Sequence, residues 1–97
     1  MNKDIVLIEW ADSCGHERWE FLDEIEPMPP HICHTVGYLM DNKKDYKTIA
    51  SSLSKTQVLG RLTIPSVCIK SIYVLETTGD GIQTTEYIGN PLPHHPA

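Results

Sequence analysis

The sequence predicts a mainly β fold: a small five-stranded barrel of the SH3-like or Sm-like type with one short α-helix. Four β-type runs follow one another between His34 and Leu75, and a fifth, rich in Ile and Val, lies near the start of the chain. Only a few polar or Pro-containing residues separate the four runs. Five short strands within about 75 residues are typical of small closed barrels. A single helical turn is predicted at Pro65 and Ser66, before the last strand, which is also typical of such barrels.

The first predicted strand, residues 4–10, is largely apolar on both faces, so we expect it to be central or covered on two sides. The other four strands are expected at residues 31–41, 46–53, 57–64 and 68–76. Gly37 lies inside the long second strand. We expect a bulge or a sharp bend there, which would let one strand serve two halves of a barrel.

The segment between the first two strands carries the only helical pattern. Trp19, Leu22 and Ile25 recur at a spacing of three residues, which predicts a short amphipathic helix over about residues 17–26. Prolines within residues 27–30 end it. We therefore expect a barrel domain over residues 1–76 and a flexible or partly ordered C-terminal extension over residues 77–97, in which residues 84–89 could add a short sixth strand.

The 97 residues suit one domain, and the net charge of −5 argues against general nucleic-acid binding. The charges are segregated along the chain. Residues 9–26 carry seven acids and only Arg18 as a base, whereas residues 41–70 carry six bases and two acids. This polarity could orient a complementary partner or a second copy in a homo-oligomer, or it could be two solvated faces of opposite sign.

The cysteines and the apolar runs predict the compartment. Cys14, Cys33 and Cys68 are an odd set without the spacing of a disulfide framework. The longest apolar run near the N-terminus, residues 5–8, is too short for a signal peptide, and no run is long enough to span a membrane. We expect a protein of a reducing cytoplasm that does not contact membranes.

Several short motifs carry a resemblance to a known group of proteins. They are a Trp-x-Asp loop at Trp10 and Asp12, the second tryptophan Trp19, Val-Gly-Tyr-Leu at residues 36–39, and Ile64-Pro65 followed by Ile69 and Ile72. In these motifs, which cover about residues 4–76, the chain resembles short, mostly uncharacterised proteins encoded by bacteriophages and prophages. The resemblance implies a viral origin and an accessory protein that acts on a host component in the bacterial cytoplasm. It implies no particular activity.

Two cysteines and two histidines are the sharpest candidates for metal chemistry. Cys14, His16, His31 and Cys33 would supply two thiolates and two imidazoles, a set that zinc accepts. Their spacing matches no zinc finger, and cysteine is common as a small core residue, so we expect neither zinc nor another cofactor. Cys14 and His16 could also form a thiolate–imidazole pair, but no oxyanion-hole segment accompanies them. With no catalytic motif in the chain, we expect no enzyme.

A third group of residues has the composition of a binding site near one end of the predicted barrel. Its members are Trp10, Asp12, Ser13, Arg18, Trp19, Tyr38, Tyr46, Gln57 and Arg61. Aromatic rings with Asp, Ser and Arg suit a ring-bearing ligand or a loop of a partner protein. The tryptophans could instead plug the barrel end, and Asp12 with Ser13 could form a turn and cap.

We therefore expect a non-catalytic binding protein, with two hypotheses for its ligand. In the first, a phage accessory protein engages a host protein or its own copies through the loops and edge of the barrel. In the second, the chain is a sponge that sequesters a small nucleotide immune signal without cleaving it. The sponge would use a stacked Trp or Tyr and phosphate contacts from Arg61, Lys43, Lys44 and Lys47. A sponge must gather its bases in one concave pocket, whereas a protein-binding module leaves them dispersed.

Overall fold

The computed structural model describes residues 3–87, which form one open antiparallel sheet of six strands with almost no helix. The strands are β1 (Ile5–Asp12), β2 (His31–Asn42), β3 (Tyr46–Leu53), β4 (Val58–Pro65), β5 (Ile69–Thr78) and β6 (Gly81–Glu86). A 3₁₀ turn, Ser66–Cys68, links β4 to β5. The order across the sheet is β4-β3-β2-β1-β5-β6. The mainly β class is confirmed, and the five predicted strands lie within two residues of their expected bounds. The sheet is not closed, because β4 and β6 form its two edges.

The hydrophobic core draws on five of the six strands. Val6 and Ile8 of β1 are fully buried, and they pack in one cluster with Leu39, Ile49, Ile64, Ile69 and Ile72. β1 is central, as expected, since it pairs with both β2 and β5. Ile64 lies on β4, three strands from β1, so the sheet must curve for Ile64 to reach the same cluster.

The predicted helix over residues 17–26 is wrong. Residues 13–30, which we call the arm, join β1 to β2 with a single hydrogen-bonded turn, in which the Glu24 N–H donates to the Phe21 carbonyl (3.0 Å). A ten-residue helix needs tertiary packing of its apolar face. Trp19 and Leu22 are instead almost fully exposed, and the closely spaced acids Glu20, Asp23 and Glu24 repel one another in a helix.

The C-terminal part of the described chain belongs to the sheet. β5 runs on to Thr78 and forms a hairpin with β6 (Gly81–Glu86), so the domain boundary expected at residue 76 falls inside β5. The expected sixth strand at residues 84–89 is represented by β6, which begins earlier. The Tyr87 N–H then donates to the Ile72 carbonyl at 2.9 Å. The rest of the expected C-terminal extension, residues 88–97, lies outside the described residues.

Gly37 allows two strands to approach closely rather than forming a bulge itself. The positive-φ glycines within the described part of the chain are Gly60 and Gly81, so the φ angle of Gly37 is one that other residues adopt. The register between β2 and β3 shifts two residues further on, between Leu39 and Asp41. A Cβ atom on Gly37 would lie only 2.8 Å from the Ala50 carbonyl oxygen. The constraint at Gly37 is therefore steric and comes from the β3 backbone.

We expect Gly37→Ala to lower the free energy of unfolding by roughly 1–3 kcal/mol, because the added methyl group forces β2 and β3 apart. Urea denaturation monitored by circular dichroism measures this change. Gly15→Ala is the matched control, since a Cβ atom there meets no atom within 4 Å; it should be neutral or slightly stabilising. Equal small effects of the two substitutions would contradict the steric role of Gly37.

Candidate binding surfaces

The two tryptophans of the predicted site lie in different environments. Trp10 is partly buried on the inner face of β1, where it packs against the core and its Nε1–H donates to Thr35 Oγ1 (2.9 Å). This is a structural role. Trp19 lies on the arm and is fully exposed, so it does not plug an end of the sheet. Of the two rings, only Trp19 presents its whole surface to a ligand or a partner.

Asp12 and Ser13 behave as a turn at the end of β1. The Ser13 N–H donates to Asp12 Oδ1 at 2.8 Å, and both residues are exposed. Arg18 follows in the exposed arm. Gln57 lies in the turn between β3 and β4, where its backbone N–H donates to Ser54 Oγ (2.9 Å) and its carbonyl accepts from the Ser54 N–H (2.9 Å). Of these four predicted residues, Asp12 and Ser13 are joined by a hydrogen bond.

Tyr38 and Arg61 are the predicted residues that the sheet brings into one row. Tyr38 on β2 is opposite Ala50 on β3, and Ala50 is opposite Arg61 on β4. Adjacent strands are about 4.8 Å apart, so the two Cα atoms lie about 10 Å apart on the outer face of the sheet. Tyr46 occupies the same face four residues before Ala50, opposite Pro65.

Lys47 is not available to a ligand, which corrects the expected lysine cluster. Lys43 and Lys44 are exposed in the turn between β2 and β3, but Lys47 is fully buried, and its Nζ donates to the Lys43 carbonyl. Desolvation by burial lowers the pKa of Lys47, and the nearby Asp45 carboxylate partly opposes this effect. The sequence did carry a signal for the burial of Lys47, since Lys47 lies two residues before the core residue Ile49 and therefore shares its face of β3.

Two concave surfaces lie at the β3–β4 hairpin, and neither of them gathers bases. One, of about 660 Å³, is an open depression lined by Ser52, Leu53, Ser54, Thr56, Gln57, Val58 and Leu59. A smaller neighbour of about 210 Å³ adds Met40 and Lys55 to much of the same lining. Arg61, Lys43 and Lys44 line neither of them.

The four candidate zinc ligands do not converge. No group of three or more His, Cys, Asp or Glu side chains within residues 3–87 is placed to hold a metal ion. His16 Nε2 lies 3.8 Å from Glu20 Oε2, and Cys33 Sγ lies 3.9 Å from the carbonyl of His31 on its own strand. Cys14 has a free thiol, as do Cys33 and Cys68.

The arm exposes far more apolar surface than the sequence pattern suggested. Its exposed large apolar side chains are Trp19, Phe21, Leu22, Ile25 and Met28. The spacing of three residues places Trp19, Leu22 and Ile25 on the apolar stripe of a helix and gives no role to Phe21 and Met28. The five residues share an unusual property: each is more than half exposed within a segment that also carries five acids.

The outer face of the sheet carries a second apolar surface. Two cross-strand rows run over β5, β1 and β2; they consist of Leu75, Ile5 and Tyr38, and of Tyr73, Leu7 and Val36. We call these six residues the outer patch. All of them are exposed or half-buried. The next row is polar, with Ser71, Glu9 and His34, and His34 Nε2 lies 3.0 Å from Glu9 Oε2.

The chain matches no protein-family model, no curated protein and no solved structure. Among the described residues there is also no helix long and apolar enough to cross a membrane. The surfaces of the described residues that bear on function are the arm, the outer patch and the row that joins Tyr38 to Arg61.

We expect Lys47→Met to change how stability depends on pH. Burial holds the pKa of Lys47 in the folded chain below its ordinary value of 10.5. At a pH between the folded and the ordinary pKa, the unfolded chain therefore binds more protons at Lys47 than the folded chain does. The free energy of unfolding of the native chain therefore gains a contribution that rises with pH in that window. Methionine has a similar shape and no charge to desolvate, so the variant should be more stable at neutral pH and should lack this rise.

Urea denaturation of both proteins between pH 7 and pH 10.5 tests this expectation. The difference between the two curves isolates Lys47, because Tyr87, whose pKa is raised by burial and by Asp4, contributes equally to both. Lys44→Met, at an exposed position, is the matched control. A constant difference between native and Lys47→Met proteins across the pH range would contradict the interpretation.

Proposed function

We propose that this chain is a non-catalytic binding protein that engages another protein through its arm. The observation that carries the proposal is the exposure of Trp19 (103%), Phe21 (75%) and Leu22 (88%) within four residues of one another. Exposed apolar clusters mark interaction sites, and buried aromatic anchors supply much of the binding free energy at protein interfaces.

The charges of the arm define the kind of partner. It carries Glu17, Glu20, Asp23, Glu24 and Glu26 against the single base Arg18. A groove with an apolar floor and a basic rim is complementary to such a segment. The association rate should therefore fall with ionic strength, since long-range attraction between exposed charges is screened by salt.

We propose that β1–β5 are an opened form of the SH3-like or Sm-like barrel, which serves as the scaffold of the arm. The strand order β4-β3-β2-β1-β5 and the 3₁₀ turn between β4 and β5 support this assignment. The turn also contacts both β1 and β3 across the curved sheet. In this scheme β6 is an addition at the β5 edge.

The resemblance to phage-encoded proteins supports a more specific role as a viral accessory protein that acts on a host component in the bacterial cytoplasm. The motif residues Ile64, Ile69 and Ile72 are all buried here, so these positions favour a shared fold rather than a shared chemistry. The arm is where members of such a group would differ in their targets, because long loops tolerate change better than the core.

The triple variant Trp19→Ala/Phe21→Ala/Leu22→Ala tests the protein-binding proposal. The immobilised native chain should retain host proteins from a bacterial lysate. We expect the immobilised triple variant to retain at least about tenfold less of the same proteins, as quantified by mass spectrometry. Its melting temperature should change little, because these side chains are exposed. Leu59→Ala and Val67→Ala, which remove exposed apolar groups elsewhere, are the controls. Retention of the same proteins by the triple variant would contradict the proposal.

The row of Tyr38, Ala50 and Arg61 favours the nucleotide sponge as a second candidate. A separation of about 10 Å lets a base stack on the Tyr38 ring while Arg61 contacts a phosphate. The small side chain of Ala50 lies between them in the same cross-strand row. Lys47 takes no part in this version of the sponge.

Calorimetry against a panel of cyclic and ADP-ribose-type nucleotides tests the sponge. Arg61→Ala should weaken capture by roughly 1.5–3 kcal/mol, the effect of losing one charge-assisted contact, without lowering the melting temperature. Lys55→Ala is the control, and nucleotide released by heat should be chemically intact. If no nucleotide of the panel binds, the sponge is ruled out and the protein-binding proposal remains. Recovery of a cleaved nucleotide would indicate an enzyme.

A further inference from the structure

We infer that the partner of the arm is a second copy of this chain: the arm of each copy covers the outer patch of the other in a symmetric dimer. The inference rests on the proposed function, in which the arm is the contact surface, and it names the protein that the arm contacts. It joins the arm and the outer patch, both of which expose apolar side chains, in one interaction.

The outer patch has the apolar composition of a surface that is covered by another layer of protein. An antiparallel sheet with one face in water normally carries polar residues on that face, yet the two rows across β5, β1 and β2 are apolar at all six positions. Val36, at the β2 end of one row, is 54% exposed. A single sheet needs a second layer against its apolar face, and none of the described residues supplies one.

The arm has the length and the anchoring to act as that layer. Asp12 and His31, which flank it, are opposite each other in the β1–β2 ladder, so the arm leaves and re-enters the sheet at one point. Its 18 residues can reach out and back by up to about 30 Å. The arm can therefore move without breaking strand pairs. In its own chain it leaves the outer patch uncovered.

The area that can be buried favours an interface made by two exchanged arms over one in which two outer patches face each other. Each aromatic side chain can bury about 150–250 Å² and each partly exposed aliphatic side chain about 60–120 Å². Two exchanged arms, with an equal area on the surfaces they cover, then bury roughly 1,900–3,400 Å² in total, whereas a stable interface needs about 1,200 Å². The half-exposed side chains of the outer patch would not reach this area by facing each other.

Charge supports the same arrangement. The arm carries five acids and one base, whereas residues 41–70 carry five bases other than the buried Lys47, against two acids. The row that contains Ile5 and Tyr38 ends at the exposed base Arg61. Arg61 can therefore pair with an acid of the arm at the β4 end of this row, whereas Glu9 and Glu86 lie beside the other row of the outer patch. A two-fold axis makes the exchange reciprocal and leaves no arm unpaired, so the assembly closes at two copies.

Light scattering on the purified full-length chain over a concentration series tests the inference. We expect the mass of two chains for the native protein. The arm variant Trp19→Ala/Phe21→Ala and the patch variant Val36→Glu should each raise the dimer dissociation constant by roughly a hundredfold or more. Both should keep the native circular dichroism spectrum, because the changed side chains are exposed. Leu59→Ala should remain a dimer.

Mixing the two variants distinguishes the proposed exchange from other arrangements. In a mixed dimer, the intact arm of the Val36→Glu chain meets the intact outer patch of the arm variant, so one of the two contacts is restored. We expect the mixture to dimerise more tightly than either variant alone, by about tenfold or more. Absence of this recovery would overturn the inference, as would a dimer that survives both substitutions.

A native chain that is monomeric at every concentration would also overturn the inference. If the monomeric native chain retains host proteins that the triple arm variant loses, the arm binds a different protein. In that case the proposed function stands and only the identity of the partner changes.

Discussion

The burial of Val6 and Ile8 in the central strand is the interaction on which the rest of the structure depends. β1 is hydrogen-bonded on both sides, and Ile72 of β5 lies directly opposite Ile8. Ile64 reaches the same cluster from the β4 edge, which requires a curved sheet. The close approach of β3 to Gly37 is part of this geometry. A change that flattens the sheet would separate Ile64 from β1 and open the core.

A core of this size leaves much apolar surface without cover. It fills the inner face of one sheet and cannot also supply a second layer for the outer face. The arm is not that layer in its own chain, because its aromatic side chains point into solvent. An exposed arm and an exposed outer patch therefore have a common physical cause, which is a shortage of packing partners among the described residues; the dimer proposed above would supply them.

Lys47 shows how such a core tolerates a charged residue. Its side chain lies among the inward-facing positions next to Ile64, its partner in the β3–β4 ladder, and its amine reaches the backbone carbonyl of Lys43 at the end of the sheet. The carbonyl satisfies one donor, while burial still disfavours the charged form. The same geometry removes Lys47 from the basic surface, so the exposed positive charge on this half of the sheet comes from Lys43, Lys44, Lys55 and Arg61.

The sequence by itself determined the β class, the five principal strands and the central position of β1. Those features depend on alternation, turn residues and β-branched composition, which are local. Tertiary structure decided the rest. The arm is not a helix because none of the described residues packs against Trp19 and Leu22. Trp10 has a structural role because Thr35 and the core lie beside it. Lys47 is buried because its side chain lies on the inward-facing side of β3. Closure of the sheet and the position of side chains in space depend on contacts between residues distant in sequence, and residue patterns do not encode these contacts directly.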